Sequence, residues 1–233
     1  LIRETECVTS EQPTRRPGRP PQTEQETHLA REHILTATST VFGERGYHGA
    51  NVSRVIAAAG ISRPTFYRHF RNIDDALQIV LSRIGRAIAT RISQAVASVS
   101  GDLPRLIAGI DAYLSWGEQN RALLQSLYAG GHDPANPVFG LRPLLLGQLT
   151  ALLNAEVSLG GRAPLDEWTI DLFLNAMEYA CYRLYRPAEL SAEAVAAARA
   201  TMLRTALALL GRADDWRLLL DQPEARRELF AGR

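Results

Sequence analysis

Lysine is absent from this chain of 233 residues; all 26 basic side chains are arginine. Cysteine and methionine occur twice each, and aromatic residues make up 7%. Cys7 and Cys181 are too few for a disulfide framework and too far apart for a cysteine zinc module. A reducing cytoplasm is the expected setting. No run of Ala, Val, Ile, Leu, Met, Phe, Trp, Tyr or Cys exceeds five residues. By that measure neither a transmembrane segment nor the apolar core of a signal peptide is expected, and a cytoplasmic protein with no membrane partner is. The chain is still 46% hydrophobic, enough for a core, and its length suits one to two domains.

Acid is missing locally. Residues 12–23 hold Arg15, Arg16 and Arg19 with no Asp or Glu, and residues 45–71 hold Arg45, Arg54, Arg63, Arg68 and Arg71 with none. From residue 72 onward 16 Arg face 18 acids, a net of −2. The formal net charge of +1 therefore hides a basic first third. A local basic field suits a phosphate backbone. A solvated arginine face is the alternative.

Catalytic signatures are missing too. There is no Gly-rich phosphate loop, no H-E-x-x-H and no Gly-x-Ser-x-Gly. His28 and His33 stand five apart, which is not a chelating spacing, and His48, His69 and His132 are scattered. No catalytic residue, metal site or cofactor is expected. Cys181 reads as core.

Helical period fills the rest, with no strand-like alternation and no internal repeat. Residues 1–23 carry Pro13, Pro17, Pro20 and Pro21 and read as a disordered basic arm. A first helix starts near Glu24 and ends at Gly43–Gly46. Further helices are expected over 74–99, 103–118, 121–129, 135–158 (kinked or split at Pro143), 166–186, 191–211 and 222–230. The fold class is all-α.

Between the first two long helices lies a denser pattern. Asn51 is placed to cap a short helix to about Ala59, and Gly60 suits a left-handed turn. Ser62 caps a second short helix with Pro64 in its first turn. This is a helix-turn-helix in the DNA-binding sense. Val55, Ile61, Phe66 and Phe70 supply a small core. Candidate DNA contacts are Asn51, Ser53 and Arg54 on the first helix, and Arg63, Pro64, Thr65, Tyr67, Arg68 and His69 on the second. Arg can fork onto guanine, Thr can meet either base edge, and Tyr and His can reach phosphates.

These residues, with Arg31-x-x-Ile34-Leu35, Val41-Phe42, Gly46-Tyr47, Ala58-Ala59-Gly60-Ile61-Ser62 and Thr65-Phe66-Tyr67-Arg68-His69-Phe70, followed by Asn72-x-Asp74-x-Ala76-Leu77, resemble the TetR-type transcriptional regulators over about residues 31–81. Ala50 stands where the family commonly has Thr, which passes the cap to Asn51. Ile56 replaces a small residue, and Ile73 replaces a phosphate-contacting Lys whose charge Arg68 and Arg71 could supply. The resemblance implies an all-α homodimer on a palindromic double-stranded operator. It also implies a variable C-terminal half that binds a small-molecule inducer. The expected division is 1–23 arm, 24–72 helix-turn-helix domain and 73–233 helical ligand-binding and dimerisation domain.

Arg15, Arg16 and Arg19, around Pro17-Gly18, resemble minor-groove hooks; a plain basic linker is the alternative. In the C-terminal half, Tyr113, Trp116, Tyr128, Phe139 and Trp168 are candidates for lining a pocket for an apolar or aromatic ligand, with core filling as the alternative. Asn175 and Glu178 are polar within the most apolar helix and need a partner across a dimer, in a pocket or in water. The apolar 166–186 helix, around Leu174, and the alanine-rich 191–211 helix, around Ala197, fit either a helix-pair dimer interface or internal packing. The functional expectation is a repressor released from DNA by a ligand. The alternatives are a regulator of the same fold without an inducer (protein-controlled, constitutive or activating) and, weakest, a helical enzyme.

Overall fold

The computed structural model describes residues 24–159, 161, 163–211, 221, 223, 226 and 227. The expected arm, with Arg15, Arg16 and Arg19, and most of the expected 222–230 helix lie outside the described residues. Among the described residues there is no strand. The helices are α1 (Glu24–Gly49), α2 (Val52–Ala59), α3 (Arg63–His69), α4 (Ile73–Ala97), α5 (Asp102–Gln119), α6 (Arg121–Gly131), α7 (Pro137–Leu159), α8 (Glu167–Tyr185) and α9 (Ala192–Leu210).

Helix α1 buries Ile34, Leu35, Ala37, Thr38, Val41 and Phe42, the face its period predicts. The Thr38 hydroxyl, fully buried, donates to the Ile34 carbonyl at 2.7 Å. The helix is interrupted at Gly46, one of the two glycines that mark its expected end, in the left-handed region (φ 64, ψ −176), and a further short helical piece runs to Gly49. Ala50 N–H donates back to the carbonyls of Gly46 and Tyr47, which closes that last turn.

Helix α4 is capped by Asn72, whose side chain accepts from the Asp75 N–H at 2.9 Å. Its buried residues run from Ala76 and Leu77 near its start to Ile88 and Val96 further along. It packs against α1, α5 and α7, while α6 also packs on α1. One apolar core thus joins the helix-turn-helix to the C-terminal helices.

Helix α7 runs through Pro143 without splitting. The carbonyl that Pro143 cannot satisfy belongs to Phe139, which is exposed, so water can serve it. It is also long and apolar enough, by length and composition, to cross a membrane. Counting uninterrupted apolar runs missed this, because isolated polar residues break the runs without lowering the mean. In the fold its charges are paired inward: Arg142 with Glu178 on α8, and Glu156 with Arg105 on α5.

Candidate nucleic-acid interface and internal cavity

The helix-turn-helix is set by local chemistry. Asn51 is extended (φ −141, ψ 162) and its side chain accepts from the Arg54 N–H at 3.0 Å. Gly60 takes φ 64, ψ 33, and its N–H returns to the carbonyls of Ala57 and Ile56. Ser62 accepts from the Thr65 N–H, and Pro64 occupies the first turn of α3. Val55, Phe66 and Phe70 are buried, with Ile61 and Ile56 packed against them. These contacts fix the angle between α2 and α3.

The outer surface carries Arg63, Pro64, Tyr67 and Arg68, all exposed, with Thr65 half-buried. On α2, Asn51, Ser53 and Arg54 are exposed. Arg63 Nη2 donates to Ser53 Oγ at 2.9 Å and draws the two helices' candidates into one patch. Arg54 anchors the start of α2 on the Gly49 carbonyl. One position differs from expectation. His69 sits half-buried against Phe70, and its Nε2 is buried without a partner. Burial, with Arg68 and Arg31 nearby, holds its imidazole below the usual range, so it is neutral and turned inward. Arg71 donates its backbone N–H to Asp75 at 3.1 Å, while its side chain, 90% exposed, lies 3.7 Å from the same carboxylate.

Behind this surface Tyr47 donates to Asp74 Oδ1 at 2.8 Å, tying the end of α1 to the start of α4. Burial and the Asp74 bond push the Tyr47 hydroxyl up to about 12, so it remains a donor. Helix α4 leads from there to a cavity of about 620 Å³ between α4 and α9. Its wall is mostly apolar, with Ile92 from α4, Trp116 from α5, Leu127 from α6, Leu149 from α7, Met177 from α8 and Leu207 from α9. The exposed Asp102 and Pro104 mark one end, beside the Arg105–Glu156 pair.

Comparison with known proteins agrees with this arrangement. Residues 34–78 match the model for bacterial regulatory proteins of the tetR family. The HTH-type transcriptional activator FasR of Mycolicibacterium smegmatis is 31% identical over 90 residues, 39% of this chain and 41% of that relative. The chain thus matches about two fifths of that relative's length. Over residues 34–78 the chain is similar to the TetR family. Solved TetR-family folds extend the likeness beyond the first domain, at fold level. A regulator of Syntrophomonas wolfei superposes with a TM-score of 0.62 at 19% identity, over 79% of this chain and 96% of that one. FadR of Bacillus subtilis, solved in complex with stearoyl-CoA, superposes with a TM-score of 0.59 at 18% identity, over 78% and 98%.

Within this TetR-family fold the seven expected pocket residues separate. Tyr113, Trp116 and Glu178 line the cavity. Trp168 does not: it is 86% exposed, near the N-terminus of α8. Phe139 is exposed on α7 and also lies off the wall. Tyr128 stacks between His132 and Tyr182, with ring centroids 4.1 Å from each. Asn175 lies off the wall and accepts at Oδ1 from Arg142 Nη2 at 3.0 Å. Leu174, expected around the dimer seam, is buried on the cavity wall.

The residue that sequence reading missed is Arg142, the partner that Glu178 required. Its Nη2 reaches Glu178 Oε2 at 2.5 Å. Arg142 is the single basic residue of α7, and Glu178 is the acid on the buried side of α8. Matching lone opposite charges between apolar helices would have suggested the pair. Cys181 is fully buried, and burial together with the Glu178 charge pushes its thiol up to about 12, which keeps it inert.

Proposed function

We propose that the chain is a DNA-binding transcriptional regulator, acting as a homodimer in the cytoplasm, whose affinity for a palindromic operator falls when a small apolar molecule occupies the cavity. The acid-free exposed patch of Arg63, Tyr67 and Arg68 on α3 carries the DNA reading, with Asn51, Ser53, Arg54, Pro64 and Thr65 beside it. Arg15, Arg16 and Arg19 add phosphate or minor-groove contacts from the arm. Arg63→Ala should cost about 1–3 kcal/mol of operator affinity if it reads a base. Tyr67→Phe, if it loses a phosphate contact, should lower the salt slope by about one. Anisotropy titrations across salt measure both, and wild-type values for both variants would remove α3 from the interface.

The apolar wall supports an apolar ligand, and the FadR complex with stearoyl-CoA supports a chain-like one. The exposed stripe of Trp168, Leu172 and Tyr179 on α8 supports the dimer, since these positions fall on one helix face. Ala194, Thr201 and Ala208 on α9 are exposed and small enough for close helix approach. Leu172→Arg should convert dimer to monomer in sedimentation, and a wild-type monomer at micromolar concentration would remove the dimer. A second reading, ligand-controlled activation, is favoured by the activator name of the M. smegmatis relative.

A further inference from the structure

The polar wall consists of Asp102 with the Arg105–Glu156 pair, and of Tyr113 with Glu178. Glu178 is 5% exposed and lines the cavity. Its Oε2 is occupied by Arg142 Nη2 at 2.5 Å, with His132 Nε2 at 3.8 Å. Among the described residues, Oε1 takes no hydrogen bond. Arg142 is not part of the wall: its Nη2 is shared between Glu178 and Asn175, and its Nε is buried. The cation therefore stands behind the carboxylate.

Tyr113 shares this wall, its ring stacked on Trp116 with centroids 6.1 Å apart. Its hydroxyl makes no hydrogen bond among the described residues. Burial, with the charges of Cys181 and Glu178, raises it well above the ordinary tyrosine range, so it keeps its proton. Apart from Asp102 and the Arg105–Glu156 pair, the cavity thus offers one open carboxylate oxygen and one hydroxyl on an apolar wall. A purely apolar ligand would leave both unmatched. A ligand carboxylate would meet Glu178 as a like charge. An ammonium would meet a carboxylate whose charge Arg142 already balances. A neutral hydroxyl can donate to Oε1 and accept from Tyr113.

We infer that the cavity selects ligands with an apolar body and a hydroxyl at the buried end, read by Glu178 Oε1 as acceptor and by the Tyr113 hydroxyl as donor. This rests on the ligand-cavity reading above and narrows it from any apolar chain to an alcohol- or phenol-ended one.

The test is displacement of N-phenyl-1-naphthylamine from the full chain by 1-dodecanol, 1-chlorododecane and dodecanoate, which share one chain and differ at the end. The expected result is half-displacement by dodecanol at a concentration about tenfold below the other two, the discrimination of about one matched hydrogen bond. Tyr113→Phe and Glu178→Gln should each shrink that advantage while leaving chlorododecane unchanged. Should Glu178→Gln fail to fold, Tyr113→Phe decides alone. Equal displacement by all three compounds overturns the inference and leaves the cavity reading standing. Tighter binding of dodecanoate overturns it by placing the polar end against a cation, Arg105 on the wall or Arg142 behind Glu178, and an undiminished dodecanol advantage in the folded variants overturns it as well. If neither the dye nor any of the three binds, the ligand reading fails and this inference with it.

Discussion

The helix-turn-helix and the C-terminal helices are packed to opposite ends. In the first, Val55 and Phe66 are fully buried, Phe70 nearly so, and each short helix is fixed by a side-chain cap or a left-handed glycine. In the second, helices of 11 to 25 residues stand around a space of about 620 Å³. A surface that reads DNA has to hold one geometry, and a filled core does that. A region that admits a guest has to leave room for it. Helix α4 belongs to both: Ala76 and Leu77 lie in the shared core near its start, and Ile88, Ile92 and Val96 lie on the cavity wall. A change in cavity filling that tilts α4 would move the recognition helix that precedes it by a few residues.

The largest effect should come from emptying the filled end. Phe66→Ala should destabilise by about 3–5 kcal/mol and abolish operator binding. Leu149→Phe, which adds volume beside the cavity, should cost less than about 1 kcal/mol, below the usual overpacking penalty, because open space receives the ring. Urea denaturation of both variants measures the contrast, and similar losses would break it.

A second contrast uses glycines within the C-terminal helices. A Cβ on Gly117 would strike Cys181 Sγ and crowd the Tyr185 ring, whereas one on Gly147 meets nothing within 4 Å. Gly117→Ala should therefore cost about 1–3 kcal/mol. Gly147→Ala should be neutral or stabilising by up to about 1 kcal/mol, from helix propensity. Melting temperatures that fall equally would mean the helices around Gly117 are as loose as those around Gly147.

The smallest effect concerns the tie between α1 and α4. Arg83 donates twice to Glu32, and that bond holds the Glu32 carboxyl below its usual value. The pair is partly exposed, so its worth is at most about 1 kcal/mol. A lowered folded-state value means the contribution is present above the unfolded carboxylate value of 4.5 and is lost as pH falls through the lower folded one. Glu32→Gln should remove that acid-side slope from the stability curve. An unchanged slope would show that the tie contributes nothing.

What could be read in the sequence divides along the same line. Caps and left-handed turns act within four residues, so Asn51, Gly60 and Ser62 were legible one at a time. Helix ends from α5 to α9 lie within about two residues of expectation, set by the helical period and, at α8 and α9, by the caps Asp166 and Ser191. His69 was misplaced although its spacing was informative: it follows Phe66 by three and precedes the buried Phe70, which puts it on the inner side. Trp168 was misjudged by chemistry rather than position. Ile170, Leu174, Met177, Cys181 and Leu184 step by four and three along the buried face of α8, and Trp168 belongs to the opposite stripe with Leu172 and Tyr179. The cavity has no local signature at all, since its wall is drawn from six helices. The Arg142–Glu178 pair spans 36 residues and becomes visible only when α7 and α8 meet.

The central claim is that filling the cavity changes the grip on DNA. The most direct measurement is operator affinity by fluorescence anisotropy, on the inverted repeat beside the chain's own gene, with and without a saturating amount of the tightest dye-displacing compound. A loss of about a hundredfold, about 2.7 kcal/mol of coupling, is expected, and by linkage an equal weakening of that compound's binding when operator is present. An operator affinity unchanged at saturation would contradict it.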